Sequence, residues 1–427
     1  MREKQRRIRR DLIQNIIITL LSISALALFT QTQLYSIDLL LGDGARQGTV
    51  QAVSTAGTAA LTAPVRFAVT GDYGRYGAAA LTTGDDSFTD PLGRHLLEAL
   101  GSARDYAACA SSDFLRALRG PSLYYDFLES LPLSVLSGLL GGGEDEAPTE
   151  DLSARRLLIV PQEGGGGTLL YLWDGGETCF RAATAVSADS LGQVIGRYEL
   201  GGASFAMDAG WESPARKLDP CSLLPEEPPS LPAFTAGDPL ASTDWLLTAL
   251  GFNPRNRTRH TESNGTELIM DGDRTLRLRP DNSVYYQSGQ DPSLQVAAAE
   301  DLPTLREAAL GAGALLNELL APVSGEARLW LQSLRRAGNV TTVRFGYQAG
   351  GVPIRFQDGG YAAEVTLTGT AVTAMTLRFR QYNLDQEPSL LLPLSQALAV
   401  AANSPGKELS IGYVERAGGC RAYWLAD

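Results

Sequence analysis

The sequence predicts an α+β protein: one N-terminal single transmembrane helix, then an extracytoplasmic multi-domain region of antiparallel sheets backed by helices. Three observations lead to this. Residues 12–31 carry no charged side chain and follow a basic tail. Beyond them, short apolar runs separated by Gly, Asp and Asn turns recur to the C-terminus, as locally paired strands do. Between those runs stand apolar repeats at three- and four-residue spacing, which belong to helices.

The first 11 residues hold six basic and two acidic side chains, a net +4. The 20 residues of 12–31, at about 1.5 Å rise per residue, make a helix of roughly 30 Å, one hydrocarbon thickness. Basic flanks stay in the cytoplasm, so the expected orientation is N-in, C-out. Ala25-Leu26-Ala27 has the small-x-small form of a signal-peptide cleavage site, the alternative reading. Leu28 and Phe29 prolong the apolar run past that point and favour a retained anchor. The first cysteine is Cys109, which excludes a lipoprotein anchor. Gln14, Asn15, Thr19 and Ser22 are polar within the span and are the candidate contacts to a partner helix. Gln14 and Asn15 sit beside the charged tail and equally suit the headgroup zone.

The chain of 427 residues totals −12, and the tail supplies +4, so the remainder carries −16. That balance argues against nucleic acid and against docking on anionic lipid. Cys109, Cys179, Cys221 and Cys420 are widely spaced with no C-x-x-C, which disfavours zinc. Outside the cell they are free to form disulfides, and the pairing stays open.

Residues 32–63 read as a lead-out from the membrane, and residues 64–219 as a first α+β domain. Pro64 to Val69 is a strand. A helix starts at Asp90-Pro91, with Leu92, Leu96, Leu97 and Leu100 on one face. Asp113 to Leu118 and Leu123 to Leu128 suggest two short helices. Arg156 to Val160, Thr168 to Trp173 and Cys179 to Ala183 are strands, Ser187 to Ile195 a helix, and Ser204 to Met207 strand-like. Prolines 220, 225, 228, 229, 232 and 239 mark residues 220–240 as a linker, because proline lacks the amide donor of helices and sheets. Residues 241–427 form a C-terminal region, divisible near residue 300. It opens with a helix over Ser242 to Leu250. Strands Glu267 to Met270, Thr275 to Arg279 and Val284 to Tyr286 are joined by Asp271-Gly272-Asp273 and Asp281-Asn282 turns. A helix over Leu302 to Leu320 follows, then Arg328 to Arg336 as helix or strand. Strands come next at Thr341 to Gln348, Val352 to Phe356, Tyr361 to Leu367 and Ala374 to Gln381. A helix from Leu390 to Ala402 precedes closing strands at Leu409 to Val414 and Arg421 to Leu425.

Catalytic signatures are scarce. His95 and His260 are the two histidines, and neither has a histidine at ligand spacing. Gly202-Ala-Ser204-Phe-Ala206 lacks the final glycine of a nucleophile elbow and reads as a strand. Gly164 to Gly167 has no Lys-Ser/Thr after it and is flanked by strands, so it is a turn and not a phosphate loop. The acidic group around Glu144-Asp145-Glu146 lacks the alternating oxygens of a calcium loop. The expectation is therefore no enzyme, no cofactor and no metal. A groove lined by Tyr285, Tyr286, Tyr361 or Trp424 would suit a cell-wall fragment or small ligand.

After the proline-dense stretch come Asp244-Trp-Leu-Leu-Thr-Ala-Leu-Gly-Phe252, Gly265-Thr-Glu-Leu-Ile-Met-Asp-Gly-Asp-Arg-Thr-Leu-Arg277 and Ser283-Val-Tyr-Tyr286. With the tail, span and α+β layout, these segments resemble the YycH/YycI family. Gly360 to Thr368 with Met375 to Arg380 is similar to the family's late sheet. Leu391 to Leu398, Leu409-Ser-Ile-Gly-Tyr413 and Ala422-Tyr-Trp424 resemble its closing elements, although family members often carry a proline where this chain has Tyr423. The resemblance implies a non-enzymatic, membrane-anchored regulator of the WalK (YycG) sensor histidine kinase in cell-wall homeostasis. The implied partners are that kinase and a second YycH/YycI-type protein.

Overall fold

The computed structural model describes residues 51–52, 61–143, 148, 152–237, 239, 243–253, 258–290, 292–297, 302–416 and 419–427. These belong to one compact unit, Val50–Asp427. The expected spanning helix, with Gln14, Asn15, Thr19 and Ser22, lies outside the described residues. Among the described residues no helix is long and apolar enough to cross a membrane.

A short β1 (Gln51–Ala52) precedes a seven-stranded sheet. That sheet is built from β2 (Pro64–Gly71), β3 (Gly74–Thr82), β4 (Arg104–Ala110), β5 (Ser122–Pro132), β6 (Ser153–Pro161), β7 (Gly167–Trp173) and β8 (Thr178–Ser187). The spatial order is β3-β2-β5-β6-β7-β8-β4, and every pairing is antiparallel. Both faces are covered. Leu123, Tyr125, Leu157 and Ile159 enter one apolar cluster with the helices α2 (Arg94–Ser102) and α5 (Ala188–Ile195). The alternate residues Tyr124, Leu158 and Val160 enter another with Phe114 of α3 (Ser111–Ala117). A turn of helix, α1 (Asp86–Phe88), precedes α2, and α4 (Leu133–Leu139) follows β5.

This two-sided cover corrects one expectation. Leu123 to Leu128 is not a helix but the middle of β5, where residues 122–127 are all buried. A strand buried on both faces loses the polar alternation that would announce it, and its aromatic-rich run then passes for a short helix.

The second sheet has 15 strands. After a small ribbon of β9 (Ala203–Phe205) and β10 (Leu223–Pro225), the strands are β11 (Leu231–Gly237), β12 (Thr258–Thr261), β13 (Glu267–Asp271), β14 (Arg274–Leu278), β15 (Ser283–Gln287) and β16 (Leu294–Gln295). Then come β17 (Arg328–Ala337), β18 (Val340–Ala349), β19 (Val352–Arg355), β20 (Ala363–Thr368), β21 (Ala371–Arg378), β22 (Gln381–Ser389), β23 (Leu409–Arg416) and β24 (Gly419–Ala426). The main path runs β12-β13-β14-β15-β21-β20-β18-β19-β23-β24-β11-β22, with β17 on β18 and β16 linking β1 to β21. The β1–β16 and β19–β23 pairs are parallel and the others antiparallel. Thus Arg328 to Arg336 is a strand. The proline-dense stretch contributes β10 and β11, and Pro232 stands opposite Pro388 on β22.

Helix α6 (Asp244–Ala249) opens the C-terminal part, and α8 (Leu394–Ala401) lies late in it. Between them, α7 (Leu305–Leu320) packs on β17, β18 and β20 and also on α4 of the first sheet. It starts with a capping box: Thr304 accepts from the Glu307 amide at 3.1 Å, and Glu307 accepts from the Thr304 amide at 2.7 Å. Its contact with α4 sets Leu310 beside Gly138, while Arg306 donates to the carbonyls of Gly142 and Gly143. One apolar core runs through both sheets, from Phe67 and Leu136 to Leu316 and Phe345.

Candidate functional site: a charged seam and the cleft beside it

Arg66, Asp126 and Arg156 are direct cross-strand neighbours on β2, β5 and β6. Directly opposed residues of antiparallel strands share a face, so the three form a ladder of alternating charge. Arg155 adds a bidentate grip on Asp126, at 2.8 and 3.0 Å. Glu408, just ahead of β23, reaches across from the second sheet and accepts from both Arg66 and Arg155. Asp219 accepts from Arg156 at 3.1 Å. The Arg156 guanidinium also lies 5.2 Å from the Trp173 ring centroid.

Asp126, Arg156 and Glu408 are all buried. Burial by itself pushes the Asp126 carboxyl up, but Arg155 and Arg66 reverse this and hold it well below the carboxylate range. Burial opposes the charge of Arg155, and Asp126 more than restores it. Three cations meet three carboxylates here. Such a seam is expensive to break: losing one partner of a buried pair costs about 3–5 kcal/mol, because the survivor stays charged in a poor solvent. Its chemistry is that of a clasp, and it leaves no side chain poised as nucleophile or base.

A cleft of about 530 Å³ opens beside the seam. One wall is the first sheet at Arg66, Leu128 and Arg155, and the other is the second sheet at Trp330, Arg355 and Glu408. Arg355 is held by a bidentate pair with Asp427, at 2.6 Å for Nη1. Strand β5 carries a register shift between Asp126 and Leu131. Within it Leu128 has φ of +69°, a backbone region that leucine rarely enters. The Leu128 amide donates to Asp126 Oδ1 at 2.9 Å, so the seam itself holds that conformation.

The candidate contacts Gln14, Asn15, Thr19 and Ser22 fall outside the described residues. The four aromatics are not gathered into one groove. Tyr361 lines the cleft, with the Arg344 guanidinium 4.6 Å from its ring centroid. Tyr286 is buried against Phe252, Tyr285 stands under Arg277, and Trp424 donates to the Leu392 carbonyl at 2.9 Å. His95 bridges helices, with Nδ1 2.9 Å from the Pro91 carbonyl and Nε2 2.8 Å from Ser190 Oγ. His260 is exposed on β12, and Gly164 to Gly167 turns between β6 and β7. Among the described residues no cluster has the ligands for a metal. Cys109 and Cys179 form a disulfide between opposed positions of β4 and β8, with Cα atoms 5.1 Å apart. Cys221 and Cys420 are buried thiols, each pushed up by burial.

The seam was not singled out from the sequence. Its signal is slight: a carboxylate inside Leu-Tyr-Tyr-Asp-Phe-Leu and an Arg155-Arg156 pair heading Leu-Leu-Ile-Val. Two charges set in strands that are otherwise apolar ask for one another.

Two sheets that share one apolar core, with α7 and the ionic clasp between them, define an α+β scaffold of the YycH type. The chain is similar to the crystal structure of YycH from Bacillus subtilis, with a TM-score of 0.53 and 12% identity over 88% of this chain and 95% of that one. The YycH/YycI resemblance read from the sequence is thus borne out at the level of the fold. No family model and no curated protein matches the sequence.

Proposed function

We propose that this chain is a non-enzymatic, membrane-anchored regulator of a two-component sensor histidine kinase in cell-wall homeostasis signalling. The observation that carries the reading is the likeness to YycH across nearly the whole of both chains. The uncharged run 12–31 behind a basic tail supports a single-pass, N-in anchor. The Cys109–Cys179 disulfide suits an oxidising exterior. The partners in this reading are a WalK-like kinase and a second YycH/YycI-type protein.

The action is a biased equilibrium. A helix packed beside the kinase shifts it only by binding one of its two states better than the other. Gln14, Asn15, Thr19 and Ser22 are the side chains assigned to that contact, through hydrogen bonds between helices. The body outside the membrane supplies the second contact, with boundaries proposed at 64–219 and 241–427 around the 220–240 stretch.

The test is co-reconstitution of the full chain with its kinase in nanodiscs, reading kinase autophosphorylation. The wild-type chain is expected to change the rate and to co-purify with the kinase. Replacing residues 12–31 by an unrelated apolar helix of equal length is expected to abolish the change. A swapped chain that still regulates normally rejects the helix contact. A wild-type chain that neither binds nor alters the kinase rejects the regulator reading.

A further inference from the structure

The 15-stranded sheet ends at β22, which pairs with β11 on one side. On its outer side the segment 324–326 covers β22 at Tyr382. The Tyr382 amide donates to the Ser324 carbonyl at 3.1 Å, and its carbonyl accepts from the Glu326 amide at 2.9 Å. Backbone groups along a strand alternate in direction, so two residues on, the Leu384 amide and carbonyl also face away from β11. Among the described residues no strand lies beside them.

The same edge carries apolar side chains into water. Leu384 stands directly opposite Phe234, which is buried against Tyr413 in the core. Opposed residues share a face, so the face that is core at Phe234 runs out into solvent at Leu384, which is 61% exposed. Leu390 at 88% and Leu392 at 50% follow in the connection to α8, and Val400 on α8 is 66% exposed. Apolar side chains scattered singly over a surface are ordinary, but these four belong to one segment at the end of a sheet.

Charge decides what kind of partner fits. Asp385 and Glu387 share one cation, Arg421, at 3.5 Å from each, so the segment keeps a surplus of negative charge. Cys420 is opposed to Phe234 on that residue's other side, so Arg421 and Asp385 both lie on the face away from Leu384. An incoming strand of alternating apolar and basic residues answers both faces at once. A second copy of this chain does not, because it sets Asp385 and Glu387 against their own kind, and Pro388 has no amide to donate. Carboxylates and proline are the usual guards of an edge against self-association.

We propose that the outer edge of β22 takes up an extended segment of a partner protein, apolar on one face and basic on the other, as an added strand. The main chain of that segment bonds at Leu384, its apolar side chains cover Leu384 and Leu390, and its cations meet Asp385 and Glu387. The site does not depend on the kinase reading, since this edge alone sets the pairing, whichever protein brings the strand.

The test is fluorescence anisotropy of labelled peptides titrated with the full-length chain in a neutral detergent. The probes are acetyl-Lys-Val-Lys-Val-Lys-Val-amide, the same peptide with every amide N-methylated, and acetyl-Glu-Val-Glu-Val-Glu-Val-amide. Binding of the lysine peptide is expected, with the N-methylated and glutamate peptides about tenfold weaker or more. Glu387→Lys, at a side chain 78% exposed, is expected to weaken the lysine peptide and admit the glutamate one. Glu98→Lys, on an exposed position of α2, leaves both unchanged. The proposal is overturned if the lysine peptide binds no more tightly than a Kd of ~1 mM. It is equally overturned if the N-methylated peptide binds as well, or if a folded Glu387→Lys chain treats the peptides as wild type does. Sedimentation of the chain alone supplies the last outcome: a dimer that Leu384→Lys dissolves would give the edge to a second copy and overturn the proposal.

Discussion

Arg155 holds both oxygens of Asp126, through Nε at 2.8 Å and Nη2 at 3.0 Å, and the same Nη2 also donates to Glu408 from the other sheet. One guanidinium thus ties a strand of the first sheet to the segment that enters β23. The seam is the polar counterpart of α7, which joins the same two sheets through apolar packing.

Asp126→Asn is expected to destabilise the protein by about 3–5 kcal/mol, since it leaves buried arginines facing too little negative charge. Chemical denaturation of the two chains measures it. The pH dependence follows from the depressed carboxyl. In the window between the folded value and the ordinary unfolded value, about 4, the unfolded chain binds more protons, so stability rises with pH there. The contribution is complete above pH ~4 and is lost as pH falls toward the depressed value. Asp126→Asn should flatten that acid limb; an unchanged limb would show that other carboxylates govern it.

The disulfide closes a sequence separation of 70 residues. Its removal by Cys109→Ala with Cys179→Ala is expected to cost about 2–5 kcal/mol. Alkylation of the denatured chain should label two thiols, Cys221 and Cys420, before reduction and all four cysteines after it. Four labelled thiols without reduction would contradict the bond.

Two helical glycines separate propensity from packing. A Cβ on Gly192 of α5 meets open space, so Gly192→Ala is expected to stabilise by about 0.5–1 kcal/mol. A Cβ on Gly311 of α7 collides with the Val296 carbonyl oxygen. There the gain of about 1 kcal/mol in propensity is outweighed by overpacking, typically 1–3 kcal/mol, and by a carbonyl forced aside. Paired melting curves that move in opposite directions are the expected result, and a stabilised Gly311→Ala chain would refute the close approach.

What the sequence made legible was local. The Asp271-Gly272 turn announced the β13–β14 hairpin, and Gly164 to Gly167 the turn into β7, because turn chemistry sits beside the strands it joins. Leu315, Leu316 and Leu319 announced α7 by spacing alone. The Ala/Gly-rich β3 offered no β-branched run to find it by. Strand β11 was masked by Pro232 and the prolines that flank the strand, although the Pro232 carbonyl is satisfied by Ser389 and Tyr413. The seam was illegible for a different reason. Its members come from five separate segments, and only the finished topology brings them within reach.

Arg66 and Glu408 are 342 residues apart. A chain made from its N-terminus therefore completes the first sheet long before the carboxylate that neutralises it exists. Until then Arg66 and Arg155 face solvent with Asp126 as their shared partner. A product that stops short of Glu408 keeps that surplus charge on the middle strands of the sheet. The clasp therefore closes only on a chain that extends through Glu408.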